Sequence, residues 1–364
     1  MGTYSKKMNN DMNNDMNNDT NNDTNNDTNN DMNNDTNNDT NNLDIDCSIL
    51  FNEIKKHSSF SNLEQHKQNI IASDFNTTIK AAKKGLWYVP KRELDINSQH
   101  FAGGSFSTIH DCKWRGTNIV VKKPITNNVT NLIDFLKEIQ ICSTLRHPNL
   151  VQFLGISFNS SEVVILFEKI EGSNLEDFIS NKNSMISNNL QKYFVGSLIT
   201  TFKFLHNCNP PIIYRDLKPA NILVDKFFNI KLTDFGLSKY FQNETNEAYL
   251  LSGETGTIRY MAPEVFNNQK YNLKVDVYSL GLIIYYIYTF TRPFNEYSVE
   301  SMKTYFQQED LILSTKKIKS QTIKSLVNKC IDKNPQQRID INELYNGWNL
   351  YLTSSANKKM CIIN

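Results

Sequence analysis

Apolar residues recur along this chain with more than one period. Ile119-Val120-Val121 is a short apolar run closed by Lys122, which predicts a buried strand ending in a charge. Further on, Leu132, Phe135, Leu136, Ile139 and Cys142 fall on one helical face, and the same helix carries Glu138. Upstream, Phe75, Ile79, Ala82 and Leu86 follow an i, i+4, i+7, i+11 spacing with Lys80, Lys83 and Lys84 off the stripe, which predicts another helix. Ile45, Ile49 and Ile54 suggest one more before it. The most apolar run, Leu280 to Phe290, is about half a membrane span. It carries Tyr285, Tyr286 and Tyr288 and predicts a buried helix.

Residues 8–42 have no such pattern. They repeat Met-Asn-Asn-Asp or Thr-Asn-Asn-Asp in eight complete copies and a partial ninth. Nothing in this array can bury apolar area against the entropy of ordering, so it predicts a low-complexity, disordered segment. The net charge of +1 argues against a nucleic-acid binder working by bulk electrostatics. Cysteines 47, 112, 142, 208, 330 and 361 are scattered without a Cys-x-x-Cys pair. That fits reduced thiols in a cytoplasmic protein better than a disulfide frame or a zinc site.

The candidate chemistry lies between residues 213 and 236. Ile213-Tyr214-Arg215-Asp216-Leu217-Lys218-Pro219-Ala220-Asn221-Ile222-Leu223 holds an Asp, a Lys two residues on and an Asn five residues on. Asp234-Phe235-Gly236 follows. One carboxylate can orient a hydroxyl and accept its proton, a Lys can neutralise a phosphate in transfer, and an Asn with a second Asp can hold magnesium. This stretch resembles the catalytic and metal-binding loops of eukaryotic protein kinases. The rest of the set follows in order. Lys122 resembles the Lys that grips the α- and β-phosphates, and Glu138 the helix Glu that pairs with it. Leu145-Arg146-His147-Pro148-Asn149-Leu150-Val151-Gln152-Phe153-Leu154-Gly155 resembles the family's turn and strand after that helix. Gly256-Thr257-Ile258-Arg259-Tyr260-Met261-Ala262-Pro263-Glu264 resembles the end of an activation segment. Asp276 would bond backbone amides of the catalytic loop, and Arg338 would pair with Glu264 as a buried strut.

The resemblance runs from about Leu94 to Leu350 and implies an α+β, two-lobed kinase fold. A small antiparallel-sheet lobe with one helix would sit over a large, mainly helical lobe. The chain then divides into a 1–42 repeat, a 43–93 helical extension, a 94–350 kinase domain and a 351–364 tail. The extension would dock on the small lobe, as a regulatory element or as a cap over apolar surface. Trp87-Tyr88-Val89-Pro90 leads into the kinase domain, where Trp87 would anchor the lobe. ATP would lie between the lobes against Val120, Lys122, Glu138, Phe167 at the back of the adenine pocket, a hinge near Glu168 to Ile170, and Leu223. Glu171-Gly172-Ser173-Asn174-Leu175 would be the turn leaving that hinge.

The Gly-rich loop departs from the family's Gly-x-Gly-x-x-Gly. The matching stretch is Phe101-Ala102-Gly103-Gly104-Ser105-Phe106-Ser107-Thr108-Ile109, with Ala102 and Ser107 at the outer glycine positions. A positive φ at either would cost about 1 kcal/mol. Val120 narrows the adenine pocket, and Tyr214 stands where His is common, its ring expected to stack beneath Phe235. Lys218 and Gly256-Thr257 imply the serine/threonine type, with Thr257 bridging Asp216 and Lys218. Lys113-Trp114-Arg115-Gly116-Thr117 and Asp276-Val277-Tyr278-Ser279 lean toward the tyrosine-kinase-like group. The resemblance thus implies ATP- and Mg²⁺-dependent phosphorylation of Ser/Thr hydroxyls on protein substrates. Asp216 would be the base, Lys218 would offset charge on the γ-phosphoryl group, and Asn221 and Asp234 would hold the metal. Arg215 would pair with a phosphate on the activation segment, Thr255 being one acceptor. The alternative is a pseudokinase scaffold, which the altered Gly loop favours. Cys361 in Cys361-Ile362-Ile363-Asn364 fits a prenylation pattern, which would give weak, reversible membrane association.

Overall fold

The computed structural model describes residues 65–103, 107–125, 129–158, 162–182, 186–241, 258–298, 300–302, 304 and 312–360. The small lobe is a five-stranded antiparallel sheet, β1 (Leu94–Gly103), β2 (Ser107–Trp114), β3 (Thr117–Pro124), β4 (Phe153–Phe158) and β5 (Val163–Glu168), in the order β1-β2-β3-β5-β4. The β2–β3 turn uses Arg115 and Gly116, both at positive φ (48° and 83°). Two such residues match the twist of a tight hairpin. β3 is interior, so Ile119 and Val121 bury against Val89, Cys112, Val164 and Leu166. The same strand carries Lys122 opposite Ile109 and Ile165.

Two helices cover this sheet. α1 (Gln65–Lys84) buries Phe75, Thr78, Ile79 and Ala82, and α2 (Val129–Thr144) buries Phe135, Leu136, Ile139 and Cys142. Leu86, expected on the α1 stripe, is 91% exposed. The helix ends at Lys84, and the Trp87 ring packs so close to Gly85 that a Cβ there would lie 2.4 Å from Trp87 Nε1. Leu86 then turns outward at φ 55°. Trp87 packs against the small lobe, edge-on to Phe153 with ring centroids 5.4 Å apart.

The large lobe is built on α4 (Asn188–His206) and α6 (Lys274–Thr289), after the short α3 (Leu175–Lys182). The apolar run from Leu280 forms most of α6, which is buried from Val275 to Ile287 and therefore needs no polar face. Among the described residues, no helix is long and apolar enough to cross a membrane. α5 (Pro263–Phe266) and α7 (Gln321–Cys330) complete the centre of the lobe, and α8 (Ile341–Met360) runs past Leu350, where the resemblance stops. Two small sheets form the upper face of this lobe. β6 (Gly172–Asn174), β8 (Ile222–Asp225) and β9 (Ile230–Leu232) make one, and β7 (Ile212–Ile213) with β10 (Lys239–Tyr240) makes the other. Gly172-Ser173-Asn174 is thus a paired strand rather than a bare turn. Asn149 ties the lobes together: its backbone carbonyl accepts from Leu232 N and its side chain donates to Ile230 O.

Candidate active site

The loop after β7 is held from below by one buried carboxylate. Asp276, 1% exposed, accepts from Tyr214 N at 2.9 Å and Arg215 N at 2.8 Å, as the sequence led us to expect. His206 adds a third contact at 2.9 Å. No sequence signal distinguished that histidine from any other residue ending an apolar helix. Arg215 takes a positive φ of 73°. The Tyr214 hydroxyl donates to Thr233 O at 2.5 Å, which ties the loop to the strand leading into Asp234. That bond tilts the ring. Tyr214 meets Phe235 edge-on, at 80° and 5.3 Å, so the expected stack is an edge contact.

Asp216 is 7% exposed. Its Oδ2 accepts from Lys218 Nζ at 3.1 Å and from Asn221 Nδ2 at 2.9 Å. Its Oδ1 is buried and has no hydrogen-bond partner among the described residues. Burial pushes this carboxyl up to about 6, with Lys218 opposing and the nearby Asp234 adding to the rise. The 3-10 turn Pro219–Asn221 folds Asn221 back so that Nδ2 also donates to Asp216 O at 2.9 Å. Asn221 thus commits its amide nitrogen and keeps its carbonyl oxygen as a donor for a cation.

Across the cleft, Lys122 is 5% exposed and meets three carboxylate oxygens: Glu138 Oε1 at 2.6 Å, Glu138 Oε2 at 2.8 Å and Asp234 Oδ1 at 2.8 Å. Burial alone would lower its pKa, but Asp234 and Glu138 outweigh burial and raise it. Burial would raise Asp234, yet Lys122 overrides it and holds that carboxyl below its usual range. Asp234 has φ 62° and leaves 45% of its side chain open. A Cβ at Gly236 would crowd this cluster, 3.2 Å from Asp234 Oδ1 and 3.6 Å from Lys122 Nζ. Among the described residues, no three His, Cys, Asp or Glu side chains gather to hold a metal. Asp234 and Asn221 nonetheless supply two oxygens, the donor set that suits Mg²⁺ when phosphates and water complete its shell.

The roof of the cleft is less regular. β1 is exposed for most of its length, with register shifts around His100. Phe101, Ala102 and Gly103 lie on it, with Ala102 opposite Ile109 and Gly103 opposite Thr108. Ser107 begins β2 opposite Pro124. Neither Ala102 nor Ser107 has positive φ, so the strain considered for them does not arise. Thr108 bonds His110 at 3.0 Å. Val120 pairs with Phe167, whose ring meets Phe153 at 6.2 Å. Glu168 ends β5, and its carboxylate is taken by Gln152 N and Lys231 Nζ. The link between the lobes therefore starts at Lys169. Ile170 and Leu223 are half-buried. Arg215 donates from Nε to Leu237 O and from Nη1 to the Tyr271 hydroxyl. Gly104, Ser105, Phe106, Thr255, Thr257, Cys361 and the segments around Ile45 and the Asn-rich repeat lie outside the described residues.

Residues 97–348 match the family model for the protein kinase domain. The chain is 32% identical over 263 residues to serine/threonine-protein kinase VIK of Arabidopsis thaliana, a match covering 70% of this chain and 60% of that protein. It is 33% identical over 211 residues to serine/threonine-protein kinase CTR1 of the same organism, covering 56% of this chain and 25% of that one. It is 31% identical over 249 residues to dual specificity protein kinase shkA of Dictyostelium discoideum, covering 68% and 47%. The matches thus span three fifths or less of each of these curated relatives. With the family model covering most of its length, the chain belongs to the protein kinase domain family.

Proposed function

We propose that this chain is a protein serine/threonine kinase of the tyrosine-kinase-like group, transferring the γ-phosphoryl group of ATP to Ser or Thr hydroxyls of protein substrates with Mg²⁺. The observation that carries this reading is the Asp216 carboxylate. One oxygen is fixed by Lys218 and Asn221, and the other is buried and, among the described residues, has no hydrogen-bond partner. An unpaired buried acceptor costs stability, on the order of 1–3 kcal/mol, unless a ligand satisfies it. A substrate hydroxyl supplies the missing donor, and the raised pKa suits a group that takes its proton during transfer. Lys218 lies beside that oxygen pair and offsets charge on the phosphoryl group in flight.

Lys122 grips the α- and β-phosphates, held in place by Glu138. Asp234 and Asn221 would hold Mg²⁺, which when bound would neutralise phosphate charge. The remaining work is orientation and electrostatics, with no covalent intermediate on the protein. The printed names of VIK and CTR1 support the serine/threonine preference. The reading is tested with γ-labelled ATP, with and without Mg²⁺, and acceptor peptides identical except for Ser, Thr or Tyr. The expected result is Mg²⁺-dependent label on the Ser and Thr peptides. Label on the Tyr peptide alone would contradict it.

A further inference from the structure

α1 lies outside the family-model match, yet it packs against the helix that carries Glu138. On α2, Glu138 points at Lys122, whereas Gln140, two residues on and about 200° around the helix, points the other way. Gln140 Nε2 donates to the Thr78 hydroxyl at 3.3 Å, and that hydroxyl donates to Asp74 O at 2.8 Å. Thr78 is 2% exposed and Phe75 1%. The Phe75 ring lies 6.5 Å from Phe158 on β4, and Tyr88 stacks on Phe158 with centroids 6.0 Å apart. The chain then locks to β4: Val89 N donates to Ile156 O and Ile156 N to Trp87 O, both at 2.9 Å. Gly155 permits this approach, since a Cβ there would lie 2.2 Å from Trp87 O. Trp87, Phe153 and Phe167 form a row of edge-on rings reaching the residue expected behind the adenine pocket. α2 is therefore clasped between the cleft and α1.

We propose that the segment from α1 to Pro90 is a built-in clamp that positions α2, with Phe75 and Thr78 as positioning residues acting on the Lys122–Glu138 pair through Gln140. This rests on the kinase reading above. A cap that only covered apolar surface would not need a bond from the buried Thr78 to the half-buried Gln140. That bond fixes the rotation of α2 about its axis, and rotation decides whether Glu138 meets Lys122.

The test uses the full chain. Transfer to a serine acceptor peptide and affinity for ATP are measured for wild type, Phe75→Ala, Thr78→Val and Thr78→Ser. Each is made in the native and in the Glu138→Gln background. In the native background, Phe75→Ala is expected to lower kcat about tenfold and Thr78→Val about threefold, with the acceptor KM within about twofold. Thr78→Ser keeps the hydroxyl and the rate. Because both act through Glu138, the same substitutions should cost less than about twofold in the Glu138→Gln background. Thr78→Val keeps side-chain volume, so the test stands even if Phe75→Ala fails to fold. Equal losses in both backgrounds, or none in the native one, would overturn the proposal. If wild type transfers nothing, the kinase reading fails and ATP affinity decides: weakening by Thr78→Val only where Glu138 is present supports the clamp, and any other pattern overturns it.

Discussion

Two buried ion pairs of this molecule look alike and do opposite things. Arg338 donates to both oxygens of Glu264, at 2.6 and 3.0 Å, and to the carbonyls of Asp332 and Lys274, with the Tyr278 ring 4.9 Å from its guanidinium carbon. Its side chain is fully enclosed, and one cation meets one anion. In the cleft, one Lys122 ammonium serves two carboxylates, and one of them, Asp234, is partly open. The first site is closed in geometry and in charge. The second carries surplus negative charge at an open edge, which favours a cation and, through it, phosphate. Burial alone therefore says little about role. What separates strut from site is whether the charge is balanced within the protein.

Removing one partner from each pair should separate strut from site. Lys122→Met should lower phosphoryl transfer by at least about 10²-fold while the far-ultraviolet circular dichroism stays that of wild type. Glu264→Gln should do the reverse: a loss of about 3 kcal/mol in denaturant unfolding, because it leaves the enclosed Arg338 charge without a counterion. ATP affinity of the protein that stays folded should be unchanged. If Glu264→Gln abolished transfer without lowering stability, the distinction between strut and site would fail.

A smaller effect separates the two by pH. As the proposed base, Asp216, with a folded pKa of about 6 against an ordinary 3.8, would have to be ionised to act, so kcat/KM should fall as pH drops through about 6. Stability runs the other way for this group. The folded chain binds its proton more tightly than the unfolded one, so its contribution is fully present below 3.8 and is lost as pH rises through about 6. Activity and denaturation midpoints measured from pH 5 to 8 with wild type and Asp216→Asn would show it. The stability attributable to Asp216 should rise as its activity falls, and parallel curves would contradict the assignment. The smallest effect is expected at the roof. Without positive φ to relieve, Ser107→Gly should change the ATP KM or kcat by no more than about threefold, in the favourable direction, through loop mobility alone. A steady-state ATP titration would detect a larger change, which would mean the roof limits turnover.

The sequence revealed the site more fully than its supports. Spacing within 213–236 singled out Asp216, Lys218 and Asn221 on one short loop, with Asp234 after the β8–β9 hairpin. Apolar periodicity found α2 and β3, and the kinase resemblance supplied the Lys122–Glu138 approach. Periodicity could not find Thr78, a polar residue on an apolar stripe, or its bond to Gln140. It kept Leu86 on a helix that stops two residues earlier, because the cause is the Trp87 ring against Gly85, a contact of shape and not of pattern. The tilt of Tyr214 follows from a hydroxyl finding Thr233 O, and the Glu168 carboxylate is taken by Gln152 and Lys231, partners distant in sequence. Local chemistry was legible, while partners set by the tertiary fold were not.

On this reading the Asp216 carboxylate, with one oxygen left without a partner among the described residues, makes this chain a phosphoryl-transfer enzyme. The most direct measurement is single-turnover transfer from γ-labelled ATP with Mg²⁺, at saturating nucleotide, for wild type and Asp216→Asn. Label on Ser or Thr is expected with wild type and a rate at least about 10²-fold lower for Asp216→Asn, with ATP affinity unchanged. Wild-type protein that binds ATP and transfers nothing, or Asp216→Asn that matches wild type, would contradict it.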